Sequence, residues 1–184
     1  MLSQNVPADN LRPPSNPLLA AALQAAGWGW KVFPCHDVAN GACSCGDQHC
    51  KRPGKHPRLK GWAFFATSDP IKLHVWWNKW PAANLAIRTG QASGVWVIDV
   101  DDDEAHVALC TWELTKGPLP RTLVARTPRG GWHYYFHCPQ GTVILNRVRV
   151  GGVNIDVRGE RGYVLIPPSR GLRGAYRWEG SVPC

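Results

Sequence analysis

Acidic residues are scarce in this sequence. Thirteen Asp and Glu face 21 Lys and Arg, which leaves a formal net charge of +8 and a pI of about 9.4. That imbalance says nothing about fold, because net charge governs association; it favours a polyanionic partner such as nucleic acid, with a basic but unrelated enzyme as the plain alternative. Long apolar runs are also missing. None approaches a membrane span, and the N-terminus lacks a basic start followed by an apolar core. We therefore expect a soluble, cytoplasmic chain without a membrane partner or an export signal. No internal repeat is visible. Residues 1–14 are polar and Pro-rich without periodicity, which reads as a loosely held lead-in.

The remaining residues, 15–184, are enough for one domain with a real core. Nineteen Gly and sixteen Pro imply many turns, hence short strands rather than a helical bundle. Helices are expected where Asn16-Pro17 and Asp69-Pro70 supply an N-cap followed by proline, over residues 17–27 and 70–79, and again from Asp102 to about Lys116. Strands are expected over 30–34, 84–89, 95–101, 121–127, 132–138, 153–158, 163–166 and 175–178. This is an α+β pattern. Ile71, Leu73, Val75, Trp76, Trp77 and Trp80 suggest that the second helix is heavily buried. Ten Trp is high for this length; most should be core or cleft walls, with some free to stack on bases. The chain ends soon after Trp178, as a domain cut from something longer would.

Between positions 35 and 57 lie Cys35, His36, Cys43, Cys45, His49, Cys50 and His56. The segment has too few apolar residues for a core, so a metal would have to order it. Tetrahedral Zn²⁺ on thiolates and imidazole does so by replacing hydrophobic burial. The preferred ligands are His36, Cys43, Cys45 and Cys50, with Cys35, His49 and His56 in reserve; free thiols or a disulfide pair are the alternatives. Lys51, Arg52, Lys55, Arg58 and Lys60 interleave with and follow these ligands. A solvated basic loop is the default reading, but Gly54 and Pro57 constrain the backbone around Lys55 and make it a candidate phosphate contact.

The chemistry concentrates at Val95-Trp96-Val97-Ile98-Asp99-Val100-Asp101. Side chains alternate along a strand, so Asp99 and Asp101 emerge on one face and repel unless a cation lies between them. Asp102, Asp103 and Glu104 are assigned instead to the start of the following helix, as partners of its dipole. Thr127-Pro128-Arg129-Gly130-Gly131 reads as a hairpin turn followed by Trp132-His133, and glycines there let backbone N–H groups approach an anion. Asp156 and Arg158 share a strand face. They form either a salt bridge with each other, or a third metal carboxylate beside a nucleotide or template contact. Carboxylates holding two divalent ions suit in-line phosphoryl transfer.

These stretches occur in a telling order: Gly-Trp-Gly-Trp-Lys-Val-Phe-Pro, Pro-Gly-Lys-His-Pro, Trp76-Trp77, Pro81-Ala82-Ala83-Asn84, Ile98-Asp99-Val100-Asp101, Thr127 to His133, Ile155-Asp156-Val157-Arg158 and Pro167-Pro168-Ser169. The order resembles the N-terminal catalytic domain of bifunctional DNA primase/polymerases, in the archaeo-eukaryotic primase superfamily, over about residues 17–179. The resemblance implies a primase-type α+β fold with an RRM-like catalytic sheet and a second α/β lobe flanking the cleft. It implies a template-directed primase and polymerase that joins a 3′-hydroxyl to the α-phosphate of an incoming NTP or dNTP. Mg²⁺ or Mn²⁺ would sit on Asp99, Asp101 and Asp156, with His133, Arg129, Gly131, Arg158 and Lys55 toward the nucleotide. Asp101 stands where many members carry Glu, and Gly131 where Ser is frequent, so a backbone N–H would have to replace a hydroxyl there. The Cys-rich insertion, residues 35–57, resembles that of a subset of relatives in which a zinc is implied. Partners implied are single-stranded DNA template or primer-template, with a helicase domain or protein usual among relatives. Two other classes fit the residues: a metal-dependent nuclease using the same carboxylates, and a non-catalytic zinc-containing DNA-binding domain for replication initiation.

Overall fold

The computed structural model describes residues 14–180; the lead-in, Pro14 aside, lies outside them. Helix α1 (Pro17–Gly27) starts as its residues dictate, with the Asn16 side chain accepting the Leu18 and Leu19 N–H groups at 2.9 and 3.3 Å. Strand β1 (Lys31–Cys35) leads into a small hairpin, β2 (Val38–Ala39) and β3 (Ala42–Cys43), and a one-turn helix α2 (Trp62–Phe65). Helix α3 (Pro70–Lys79) has Asp69 as its cap. Then come β4 (Asn84–Arg88), β5 (Val95–Val100), α4 (Asp103–Lys116), β6 (Leu123–Arg126) and β7 (Trp132–His137). The last strands are β8 (Ile155–Arg158), β9 (Tyr163–Leu165), β10 (Arg170–Gly171), β11 (Gly174–Ala175) and β12 (Arg177–Glu179). Asp102 caps α4 with its Oδ1 on the Ala105 N–H, and Asp103 and Glu104 occupy the first turn, the duty expected of them.

The strands form two main sheets, one of five strands in the order β12-β6-β7-β5-β8 and one of three in the order β1-β4-β9. Every pairing in them is antiparallel. Alternation on β5 divides the core. Val95 and Val97 join Val32, Leu85, Ile87 and Val164 of the small sheet and Ile166 just past its end, where Leu19 of α1 and Leu73 and Trp77 of α3 also pack. Val100 faces the other way, into a cluster with Ala105 and Leu109 of α4. Each such side chain contributes roughly 1.5–3 kcal/mol when fully buried, so β5 is locked by apolar contacts on both faces right up to its last residue. Helix α3 is less buried than its composition suggests. Leu73 and Trp77, spaced i, i+4, face the core, while Ile71 and Val75 are exposed on the other side of the helix.

Two short motifs close the small sheet. Ser169, fully buried after Pro167-Pro168, donates its hydroxyl to the Leu85 carbonyl and accepts the Leu85 N–H, each at 3.0 Å. Asn84, also buried, accepts the Arg170 N–H at 2.8 Å. Its amide donates to the carbonyls of Gly54 at 2.8 Å, Arg170 at 2.7 Å and His36 at 3.3 Å. One side chain thereby ties the Cys-rich segment to the β10–β11 hairpin.

Candidate active site

The register of the large sheet sets the site. Trp178 pairs with Ala125, Ala125 with His133, His133 with Asp99, and Asp99 with Asp156, one row across all five strands. Directly paired residues share a face, so His133 and Asp156 flank Asp99. Asp101 follows just past the strand end on the same side. Carboxylate oxygens of Asp99, Asp101 and Asp156 all lie within 4.8 Å of one another.

Asp99 is nearly buried, and its two oxygens have different partners. Oδ1 lies 3.2 Å from His133 Nε2, and Oδ2 lies 3.2 Å from the Arg158 guanidinium. With Nε2–H donating to Asp99, His133 Nδ1 faces the Tyr135 hydroxyl at 3.4 Å. Burial alone would raise the Asp99 carboxyl, but His133 and Arg158 outweigh it and hold it at about 2. Arg158 also reaches Asp156 Oδ2 at 2.6 Å, while Asp156 Oδ1 accepts the Arg149 N–H at 2.9 Å. Of the two readings of Asp156, its salt bridge with Arg158 is present; so is its approach to the other two carboxylates. Among the described residues Asp101 forms no such ion pair. Desolvation and the neighbouring Asp99 push its carboxyl up. That is the mark of negative charge short of a cation, and three convergent hard oxygen donors are the chemistry of Mg²⁺ or Mn²⁺ sites.

A cavity of about 430 Å³ opens in front of this row, lined among others by Asp99, Asp101, His133, Lys55, Arg129 and Arg158. Lys55 is half-buried, and burial first, then Arg129, lower its ammonium pKa while Asp99 and Asp101 pull it back up. Gly131 departs from its expected role. Its N–H donates to Thr127 Oγ1 at 3.1 Å, and it is buried, so no N–H is left there for a nucleotide. Glycine is needed for a different reason: a Cβ would lie 2.2 Å from the Val100 carbonyl oxygen, because this turn packs on the exit of β5. Sequence reasoning passed over Trp62, Tyr163 and Tyr176, which also line the cavity. Trp62 and Tyr163 meet edge to face at 4.9 Å, against Phe33. Only the tryptophan surplus hinted at such a wall.

The Cys-rich segment builds a second cluster. One ligand atom from each of Cys43, Cys45, Cys50 and His56 lies within 4.8 Å of the others. His56 Nε2 is 3.4 Å from Cys43 Sγ and 3.5 Å from Cys50 Sγ. Zn–S of about 2.3 Å and Zn–N of about 2.05 Å at a tetrahedral angle give an S···N edge of about 3.5 Å, so the donors fit zinc. The fourth position corrects the preferred set. His36 stands outside it, its Nδ1 turned to Ser44 Oγ at 3.2 Å and its ring stacked on His56 at 4.4 Å. Of the other reserves, Cys35 is fully buried in the core, where desolvation drives its thiol pKa up, and His49 is exposed.

Residues 22–183 match the family model described as bifunctional DNA primase/polymerase, N-terminal. No curated protein matches the chain.

Proposed function

The chain belongs to the bifunctional DNA primase/polymerase family, and from that premise we propose that it is a template-directed nucleotidyltransferase. It joins a 3′-hydroxyl to the α-phosphate of an incoming NTP or dNTP and releases pyrophosphate. The observation that carries this reading is the row Asp156, Asp99, His133 with Asp101 beside it, the three carboxylates converging within 4.8 Å while Asp99, Asp101 and His133 line one cavity. Asp99, Asp101 and Asp156 would hold Mg²⁺ or Mn²⁺, which supplies charge neutralisation for phosphoryl transfer when bound.

The chain's own groups do the rest. His133 fixes Asp99 through Oδ1 and keeps it ionised. Arg129 and Lys55 bind phosphate oxygens, and Arg158 balances Asp99 and Asp156. Trp62 and Tyr163 offer a flat apolar wall to the base or sugar. Positioning and fixed charge are what such a transfer requires of a protein. Among the described residues the cavity carries five Lys and Arg side chains, Arg52, Lys55, Arg129, Arg158 and Arg161, against two carboxylates. That excess suits a triphosphate better than the single phosphodiester a nuclease attacks. The Cys43, Cys45, Cys50 and His56 cluster is a structural zinc centre in this reading, since all four positions are protein ligands.

The test is synthesis on a single-stranded template with NTPs and dNTPs, with Mg²⁺ or Mn²⁺, with and without primer. Wild type should extend or start chains, and Asp99→Ala or Asp156→Ala should not. Absence of product from wild type with either metal would refute the activity. Template cleavage without nucleotide would make the protein a nuclease instead.

A further inference from the structure

Beside the active-site cavity lies a second groove of about 330 Å³ that the proposed transfer does not use in full. Its walls come from three separate loops: Lys51, Arg52 and Lys55 of the Cys-rich segment, Arg129 of the β6–β7 turn, and Arg173 at the tip of the β10–β11 hairpin. Nine of the described residues line it, five of them basic and none acidic. Among the described residues none of these five forms an ion pair. Arg58, from the same basic run, is spent on Asp37 instead. Cations gathered in this way repel one another unless an anion lies between them.

The groove is held open by fixed parts. Asn84 bonds the Gly54 carbonyl on one wall and both backbone groups of Arg170 at the base of another. Gly54, at φ +70°, leaves no room for a side chain, since a Cβ would lie 2.6 Å from Val38 Cγ2. The Tyr163 hydroxyl donates to the Lys55 carbonyl at 3.0 Å. Gly171 packs on Pro128, where even a Cβ would sit at 3.4 Å. These contacts set the spacing of the charges before any ligand arrives.

We infer that this groove binds the sugar-phosphate backbone of a single nucleic-acid strand on its way to the catalytic carboxylates. Arg52, Lys55 and Arg129 line both cavities, so the groove is continuous with the site. Lys51 and Arg173 line only the outer part, beyond a nucleotide seated at Asp99 and Asp101. A ligand that reaches from Asp99 and Asp101 to Lys51 and Arg173 occupies both cavities, as an extended strand does. The groove lining has no aromatic ring among the described residues, whereas the catalytic cavity has Trp62, Tyr163 and Tyr176. It therefore reads phosphates rather than bases, and binding is indifferent to sequence and steeply salt-dependent. The inference rests on the nucleotidyltransferase reading for the direction of the strand, but not for its binding.

The test compares wild type with Lys51→Ala/Arg173→Ala and with Lys72→Ala/Lys116→Ala, which removes the same charge at exposed positions outside the groove. Anisotropy of a fluorescein-labelled single-stranded oligodeoxynucleotide is measured across a KCl series, and ATP binding with Mn²⁺ by calorimetry. We expect the groove pair to lower the slope of log K against log salt by about 1.4, two contacts at about 0.7 each. The distant pair should lower it little, and ATP binding should be unchanged in both. Equal strand binding by the two double variants overturns the inference, as does a groove variant that loses ATP rather than strand. A wild type that binds the strand through Lys51 and Arg173 yet makes no product upholds the groove and removes only the activity.

Discussion

Arg158 is where the electrostatics of the site are most exposed to test. Its guanidinium lies 3.2 Å from Asp99 Oδ2 and 2.6 Å from Asp156 Oδ2, so it fills the position between two carboxylates that a divalent cation would also neutralise. Arg158→Met keeps an unbranched side chain and removes the charge. Breaking a fully buried pair costs about 3–5 kcal/mol because one charge is stranded. Here the Arg158 side chain is 30% exposed, and water takes over part of its role, which brings the expected loss to about 1–3 kcal/mol. For a domain of this size that lowers Tm by roughly 2–12 °C. The informative arm is melting with and without Mn²⁺ after chelation. In the variant both Oδ2 atoms are free for the ion, so Mn²⁺ should stabilise Arg158→Met more than wild type. A ligand at a hundred times its Kd adds about 2.7 kcal/mol, enough to restore most of the deficit. If the variant melts with wild type, or Mn²⁺ raises both by the same amount, Arg158 is not the counter-ion of this site.

Three further outcomes are expected. His56→Ala should lose bound zinc by elemental analysis while His36→Ala retains it; the reverse would return His36 to the ligand set. Gly131→Ala should destabilise by about 1–3 kcal/mol in urea, because its Cβ meets the Val100 carbonyl at 2.2 Å; an unchanged midpoint would mean that the turn moves away freely. The Asp99 carboxyl is held at about 2 against an ordinary 3.8, so its ionised form adds stability that is complete above about pH 4 and lost as pH falls through 2. That term is worth roughly 2 kcal/mol, and the stability gap between wild type and Asp99→Asn should shrink by that amount between pH 4 and 2. A constant gap would show that His133 and Arg158 do not depress the carboxyl.

Much of this arrangement is legible in the chain because local physics decides it. Asn16-Pro17 and Asp69-Pro70 each supply a side-chain cap and a proline at the first position, and α1 and α3 start there. Alternation along β5 separates the apolar Val95 and Val97 from Val100, and puts Asp99 at the end of the first series. What alternation cannot supply is register between strands far apart in sequence. That Asp156 and His133 flank Asp99 rests on β8 and β7 pairing with β5 across 57 and 34 positions. The exchange of His36 for His56 had the same origin. Seven candidate ligands in one segment differ only by where the loop folds back, and that is fixed by backbone bonds such as His36 N–H to the His56 carbonyl at 2.9 Å. Gly131 misled differently. A glycine in a turn suggests an approaching anion, but here the approaching group is the protein's own Val100 carbonyl.

The same loop return links the Cys43, Cys45, Cys50 and His56 cluster, which could hold a metal, to the proposed nucleotidyl-transfer site. Lys55 lies between Gly54, clamped by Asn84 and packed on Val38, and His56, a member of the Cys43, Cys45, Cys50 cluster. Its own carbonyl accepts the Tyr163 hydroxyl. The backbone is thus fixed on both sides of Lys55, which among the described residues is the lysine lining both the cavity at Asp99 and the basic groove. A lysine on an unanchored loop would retain its rotamer freedom and full hydration, and would lose up to about 2 kcal/mol of order on meeting a phosphate. Anchoring Lys55 in advance removes part of that cost. A metal held by Cys43, Cys45, Cys50 and His56 would therefore help to set where Lys55 stands relative to Asp99 and Asp101.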